Sequence, residues 1–412
     1  MADLNHCKEL WSHQKEAQTA FLKENNGIIE MATGTGKTYT AIQIMKKMLE
    51  ENAIRRIIVI TYGNDLLRQW YYELLLGLSG VKIFRFFDRY REGQKFIYSK
   101  DKSLLLLSRD AGRIAECLSM LEKYEGAEQA REKTLLLFDE VHRFGAPSFE
   151  KILKGTIQKY RFRLGLSATP ERDYDDRGND FIKAEIGNVI YRFGLENAVR
   201  KGVLCPLSYV PVYYELTDRE REKKRKIIAS YEVKRKNGID FDENKLYRDL
   251  AKINKTAETK IPLFASLIKE RPELLERCII FVETREYGTK LQNMLIHHLS
   301  RFHTYYAEDE KDNLGRFGNG QIDCLITCKK ISEGIDIRSV KNIVLFSSDK
   351  GKTATIQRIG RSLRKNPEDP AKIACVVDFI YKGSFQEDIT TDQERMAWLT
   401  KLAEVREQNE SV

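Results

Sequence analysis

The stretch Gly27-Ile28-Ile29-Glu30-Met31, followed at once by Ala32-Thr33-Gly34-Thr35-Gly36-Lys37-Thr38, decides how the chain is read. The first five residues form a short apolar run of strand type, and residues 39–50 behind the loop carry apolar side chains at helical spacing. A strand, a glycine-rich loop and a helix in that order make a phosphate cradle. Successive backbone N–H groups collect at the helix N-terminus, and glycines let an anion approach them closely. Thr33, Gly34, Thr35 and Gly36 are the candidate cradle, Lys37 the cation for the β- and γ-phosphates, and Thr38 the hydroxyl ligand for Mg²⁺. Met31 stands where the strict phosphate-loop spacing has its first glycine. An ordinary glycine-rich turn is the plain alternative, and the strand–loop–helix context opposes it.

Outward from this stretch the same alternation continues. Apolar, strand-like runs occupy 27–32, 56–60, 81–87, 104–108, 135–139 and 161–167 in the first half. In the second half they occupy 207–214, 277–282, 321–327, 341–346 and 372–379. Amphipathic segments such as 39–50, 65–76 and 287–299 separate them. Nearly continuous apolar strands alternating with helices predict parallel sheets covered on both faces. That is too many strands for one comfortable open sheet, so two α/β domains are expected, 1–200 and 201–412. Their join is placed near 198–206, after a charged stretch at 171–180 expected to be irregular. Residues 216–260, rich in Lys, Arg and Glu, break the alternation and read as a charged helical insertion. A final helix near 391–407, with Met396, Leu399, Leu402 and Val405 at helical spacing, is expected to dock rather than trail.

Composition narrows the class. Of 412 residues, 42% are hydrophobic and 10% aromatic, which supports real cores and excludes wholesale disorder. No apolar run approaches the roughly 18 residues of a membrane span. The opening residues lack an apolar signal core, and the seven cysteines are scattered as in a reducing compartment. A soluble, cytoplasmic protein is expected. The excess of 70 Lys+Arg over 61 Asp+Glu leans toward polyanions, although such an excess serves solubility equally well.

Two further constellations join the loop. Leu135-Leu136-Leu137-Phe138-Asp139-Glu140-Val141-His142 ends an apolar strand in paired carboxylates. In a doubly wound sheet that strand end faces the ligand crevice, where Asp139 would hold Mg²⁺ and Glu140 would polarise an attacking water. Standing alone, the pair reads as readily as a solvated strand end. In Gln357-Arg358-Ile359-Gly360-Arg361-Ser362-Leu363-Arg364, helical spacing would put Gln357, Arg361 and Arg364 on one face. There they could stabilise charge on a transferring phosphoryl group, or simply form a basic surface.

Taken together, these segments resemble superfamily 2 helicases of the DEAD/DEAH (DExH) type over essentially the whole chain. Trp11-Ser12-His13-Gln14 resembles the adenine-recognising glutamine motif, with Trp11 where relatives often carry Arg; residues 32–38 match motif I and 58–69 resemble motif Ia. Asp139-Glu140-Val141-His142 is a DExH form of motif II, and Ser167-Ala168-Thr169 matches motif III. Residues 279–284 resemble motif IV, Ser332-Glu333-Gly334-Ile335-Asp336-Ile337 match motif V, and 357–364 match motif VI. Residues 166–172 and 191–206 look closest to the XPB-like branch, whose members commonly act on DNA and whose bacterial relatives occur in repair, restriction and phage defence.

The resemblance implies two RecA-like P-loop domains that close on ATP·Mg²⁺ and couple its hydrolysis to movement along nucleic acid, expected to be DNA. Gln14 would contact adenine and Gly334 and Asp336 the nucleotide, while Gln357, Arg361 and Arg364 would act from the second domain. His142, Ser167 and Thr169 would link nucleotide state to domain movement. A strand would be held mainly by phosphate contacts, with Thr327 a candidate unless its hydroxyl makes a local bond. Within residues 221–236, eight basic residues face two acidic ones, so Lys223, Lys224, Arg225 and Lys226 are candidate phosphate contacts. Two other readings share these residues: a double-strand translocase that never separates strands, and a nucleotide-gated module that recruits a partner nuclease.

Overall fold

The computed structural model describes residues 10–173, 175–306, 309, 312–328, 339–347, 352–383 and 391–406. The chain divides into two compact units, Met1–Ala198 and Val199–Val412.

Among the described residues, the first unit contains seven strands: β1 (Asn26–Met31), β2 (Arg56–Thr61), β3 (Lys82–Phe86), β4 (Ser103–Ser108), β5 (Thr134–Asp139), β6 (Phe162–Ser167) and β7 (Val189–Phe193). They form one sheet in the order β3-β4-β2-β5-β6-β1-β7, and every pairing is parallel. β2 and β5 are buried at every position, as strands covered on both faces must be. The order places the carboxyl ends of β1, β6 and β5 side by side, so the three segments that follow them share one edge.

The second unit contains β8 (Leu207–Tyr214), β9 (Cys278–Phe281), β10 (Phe302–Thr304), β11 (Cys324–Thr327), β12 (Asn342–Leu345) and β13 (Ala374–Tyr381). Its sheet runs β10-β11-β9-β12-β13-β8, again wholly parallel. The expected fold class, two parallel-sheet α/β domains, is what the chain forms. The last helix, Thr391–Glu404, docks as its spacing predicts, with Leu399 and Leu402 buried.

Two strands escaped the sequence reading. β7 and β10 are sheet edges with mostly half-buried residues; β10 (Phe302–Thr304) is too short to show an apolar run, whereas β7 carries Val189, Ile190, Tyr191 and Phe193, a signal that the sequence reading did not take as a strand. The second half of the stretch expected to be irregular, 171–180, instead begins the helix Asp176–Glu185, started by Asp175, whose carboxylate accepts from the Gly178 N–H at 2.9 Å. The insertion is a pair of helices, Asp218–Lys236 and Glu243–Lys255. Only one edge of the first packs inward: Tyr231 is buried and Ile227 touches the core, whereas Val233 is exposed. Lys260, counted at the insertion's end, instead begins the packed helix Lys260–Glu270 and is buried.

Candidate functional site

The loop after β1 is built for close approach of an anion. Gly34 and Gly36 have φ of 90° and 89°, a region costly to residues with a Cβ. A Cβ on Gly36 would come within 2.4 Å of Gln14 Nε2. Thr35 is fully buried and its hydroxyl donates to the Ala32 carbonyl at 2.8 Å, which tightens the loop. The helix Lys37–Glu50 starts directly behind, so its first N–H groups and their positive end face the cradle. Lys37 Nζ donates back to the Met31 carbonyl at 3.1 Å, arching over the loop, and Thr38 sits half-buried in the same first turn.

Gln14 meets this loop from the helix Ser12–Glu24. Its Nε2 donates to the Thr35 carbonyl at 3.2 Å, and its Oε1 accepts from the Trp11 N–H at 3.1 Å. His13 Nε2 lies 3.0 Å from the same Thr35 carbonyl, and its ring stacks on Phe193 of β7 with centroids 4.2 Å apart. The unexpected edge strand thus seats the residue that seats the loop. Trp11 is half exposed beside it.

Across the sheet edge, Asp139 ends β5 almost completely buried. Its Oδ1 accepts from the Glu140 N–H at 2.9 Å, and its Oδ2 accepts from the Trp70 indole N–H at 2.8 Å. Burial, reinforced by Glu140, pushes the Asp139 carboxyl up to about 6, while Trp70 and the positive charge of Lys37 oppose the rise. Glu140 has φ 51°, an uncommon left-handed conformation for a residue with a side chain; its buried Oε2 lies 3.5 Å from His142 Nδ1 and has no hydrogen-bond partner among the described residues. His142 Nδ1 lies 3.1 Å from Ser167 Oγ, which also accepts from the Thr169 N–H at 3.1 Å. Burial, followed by the charges of Arg143 and Arg172, holds His142 down at about 3, so its ring is neutral at physiological pH. His142, Ser167 and Thr169 therefore form one hydrogen-bonded link inside the first unit, from the carboxylate pair to the end of β6.

The donor set fits a nucleotide with a divalent cation. The loop offers glycines with no side chain in the way, a helix N-terminus and a lysine; opposite lie a fixed carboxylate and a second carboxylate with an unsatisfied buried oxygen.

Two family models match the chain: "Type III restriction enzyme, res subunit" over residues 7–172 and "Helicase conserved C-terminal domain" over residues 259–366. A DNA 3'-5' translocase, XPB2, of Sulfurisphaera tokodaii is 26% identical over 91% of this chain and 82% of that protein. The chain is a superfamily 2 helicase of the XPB-like branch. It is accordingly an ATP-hydrolysing enzyme. An endonuclease subunit of the Escherichia coli type I restriction enzyme EcoAI is 22% identical over 83% of the chain but only 42% of that subunit. Among solved structures, the helicase domain of Pyrococcus furiosus Hef shares the fold with a TM-score of 0.62 at 16% identity, covering 94% of this chain and 97% of that one.

Motif VI of this helicase departs from the expected single helical face. The helix Lys352–Ile359 holds Gln357 but ends before Arg361 and Arg364. After it the backbone tightens into turns, with the Ser362 N–H on the Ile359 carbonyl at 2.9 Å. Arg364 then enters an antiparallel bridge with Leu204, and the Cys205 N–H takes the Leu363 carbonyl at 2.8 Å. Pairing with the 204–205 segment draws the chain out of the helix. Arg361 is buried and Arg364 half-buried.

Other expectations are redistributed. Thr327 has no exposed surface, and its hydroxyl donates to the Tyr305 carbonyl at 2.8 Å, which is the local bond. Gly334 and Asp336 of motif V lie outside the described residues. Of the four basic candidates in the insertion, Lys226 pairs with Glu222 at 2.7 Å and Lys224 lies over the Tyr381 ring at 5.4 Å, while Lys223 and Arg225 are exposed. A cluster that sequence reading missed stands at the carboxyl edge of the first sheet. Arg109 and Arg143 place their guanidiniums 5.0 and 4.7 Å from the centre of the Tyr62 ring, just beyond β4, β5 and β2. Arg109 also donates to the Arg143 carbonyl. No single motif joins these three residues, so only the sheet order brings them together.

Proposed function

We propose that this helicase is an ATP-driven DNA motor whose chemistry sits at the carboxyl edge of the first sheet. The observation that carries the reading is the Lys37 cradle facing the Asp139–Glu140 pair, with Lys37 close enough for its charge to act on Asp139. Lys37 and the loop N–H groups would hold the phosphates, and Gln14 the base or the loop that meets it. Thr38 and Asp139 would hold Mg²⁺, which when bound offsets phosphate charge as the γ-phosphoryl group is transferred to water. Glu140, with its unsatisfied oxygen, would take the proton of the attacking water. Gln357, Arg361 and Arg364 would supply transition-state charge stabilisation from the second unit.

DNA as the track is supported by the name of the archaeal relative. The Tyr62–Arg109–Arg143 cluster adds physical support, because two guanidiniums against an aromatic face suit a phosphate backbone with an adjacent base. Lys223 and Arg225 would add sequence-independent phosphate contacts. Such a motor belongs in the cytoplasm. The deciding experiment is the ATPase rate of the full chain against single-strand, duplex and forked DNA and RNA, run beside triplex displacement and strand separation. Stimulation that grows with DNA length supports a motor, and rates indifferent to every nucleic acid would overturn it.

A second reading is favoured by the restriction-type family model and by restriction-subunit relatives much longer than this chain. In that reading the motor works with a partner nuclease. ATPase stimulation by DNA that does not depend on DNA length would favour a nucleotide-gated recruiter over a translocating motor.

A further inference from the structure

Trp70 is almost completely buried on the helix Asn64–Gly77, where Leu67, Trp70 and Leu74 make the inward stripe. Its ring could have been packed by any large apolar residue, but its one polar atom is not idle. The indole N–H donates to Asp139 Oδ2 at 2.8 Å, across 69 positions of sequence. The other oxygen, Oδ1, takes the Glu140 N–H at 2.9 Å. Two donors, one from the strand's own backbone and one from a neighbouring helix, therefore fix the plane of the carboxylate. Each oxygen keeps a lone pair for another ligand. An indole can only donate, so this contact also requires the unprotonated oxygen that a cation needs.

We propose that Trp70 is a positioning residue for the metal-holding carboxylate: its buried indole N–H fixes Asp139 in the orientation that receives the divalent cation of the nucleotide. This role rests on the assignment of Asp139 to Mg²⁺ under the proposed function. Outer partners of this kind are typically worth about 10–100-fold in metal affinity or activity when removed.

The chain has three tryptophans, so incorporating fluorotryptophan gives three fluorine NMR signals, and Trp70→Phe identifies one by its disappearance. In the otherwise unaltered full chain, the Trp70 signal should move when ADP and Mg²⁺ are added together. It should stay in place with ADP and excess EDTA. Trp70→Phe should raise the Mg²⁺ concentration for half-maximal ATPase by roughly 10-fold or more, with saturating Mg²⁺ restoring most of kcat and ADP affinity in EDTA unchanged. Trp70→His, which keeps a ring N–H, should recover part of the Mg²⁺ dependence. A role limited to packing predicts a lower unfolding temperature with an unaltered Mg²⁺ midpoint and a silent fluorine signal, and that result would overturn the proposal. Asp139→Asn separates the two assignments. If it changes the Mg²⁺ dependence while Trp70→Phe does not, only the positioning role fails; if neither variant changes it, the assignment of Asp139 to the cation fails as well.

Discussion

Arg56 opens β2 with no exposed surface, and replacing it by Met should be among the costliest single changes in the first unit. Its Nε donates to Glu125 Oε1 at 2.8 Å and its Nη1 to Ser103 Oγ at 2.8 Å. Its Nη2 reaches the Ile97 and Ser99 carbonyls at 3.1 and 2.7 Å, while Nη1 also takes the Phe96 carbonyl. One guanidinium thus terminates the short helix Gly93–Ile97 and neutralises a nearly buried carboxylate. Truncating one member of a buried ion pair costs about 3–5 kcal/mol, and each stranded carbonyl adds to it, so Arg56→Met should destabilise the first unit by about 4 kcal/mol or more. For a unit of this size that corresponds to a fall of roughly 10 °C in Tm. Thermal and denaturant unfolding of the full chain would measure it, with hydrogen exchange in residues 93–99 reporting where protection falls. The Arg56→Met/Glu125→Met double variant should be destabilised clearly less than the sum of the two single changes, because the second removes a charge already stranded. A destabilisation under about 1 kcal/mol, or strict additivity, would refute the network.

Other expectations are more direct. Lys37→Ala should weaken nucleotide binding and abolish turnover, whereas Glu140→Gln should retain binding and stall hydrolysis; wild-type turnover in purified Glu140→Gln would remove Glu140 from the chemistry. Arg361→Ala and Arg364→Ala should each lower DNA-stimulated kcat by at least about 10²-fold with circular dichroism unchanged, in line with the usual worth of such arginines. Neutralising Lys223, Lys224, Arg225 and Lys226 together should flatten the salt dependence of DNA binding by roughly 0.7–0.9 in log–log slope for each phosphate no longer neutralised. The contribution should come mainly from Lys223 and Arg225, and an unchanged slope would return the helix to a solvated surface. Burial lowers the Lys260 ammonium to about 7, far below its value in an unfolded chain. Between about 7 and 10 the unfolded chain therefore holds the extra proton, and wild-type stability should rise with pH across that window. Lys260→Met should stabilise by on the order of 3 kcal/mol near pH 7 and lose that advantage toward pH 10, where the wild-type cost vanishes. A difference independent of pH would show that the lysine is not titrating in place.

The sequence by itself determined the two parallel-sheet α/β units, their central strands and the loop after β1, because those features are local. Apolar runs mark fully buried strands, and the cradle needs its residues consecutive. Edge strand β10 left no such mark, since its three residues hold a single large apolar side chain, whereas Val189, Ile190, Tyr191 and Phe193 of β7 do form a short apolar run. Helical spacing extended motif VI one turn too far, because the pairing of Arg364 with Leu204 depends on a segment 160 positions away. Tertiary structure alone decided which polar atoms are already spent, as with the Thr327 hydroxyl on the Tyr305 carbonyl. It also decided which distant residues meet. Trp70 reaches Asp139, and Arg109, Arg143 and Tyr62 gather at one edge, because strand order is set by how whole strands and helices pack rather than by any spacing along the chain.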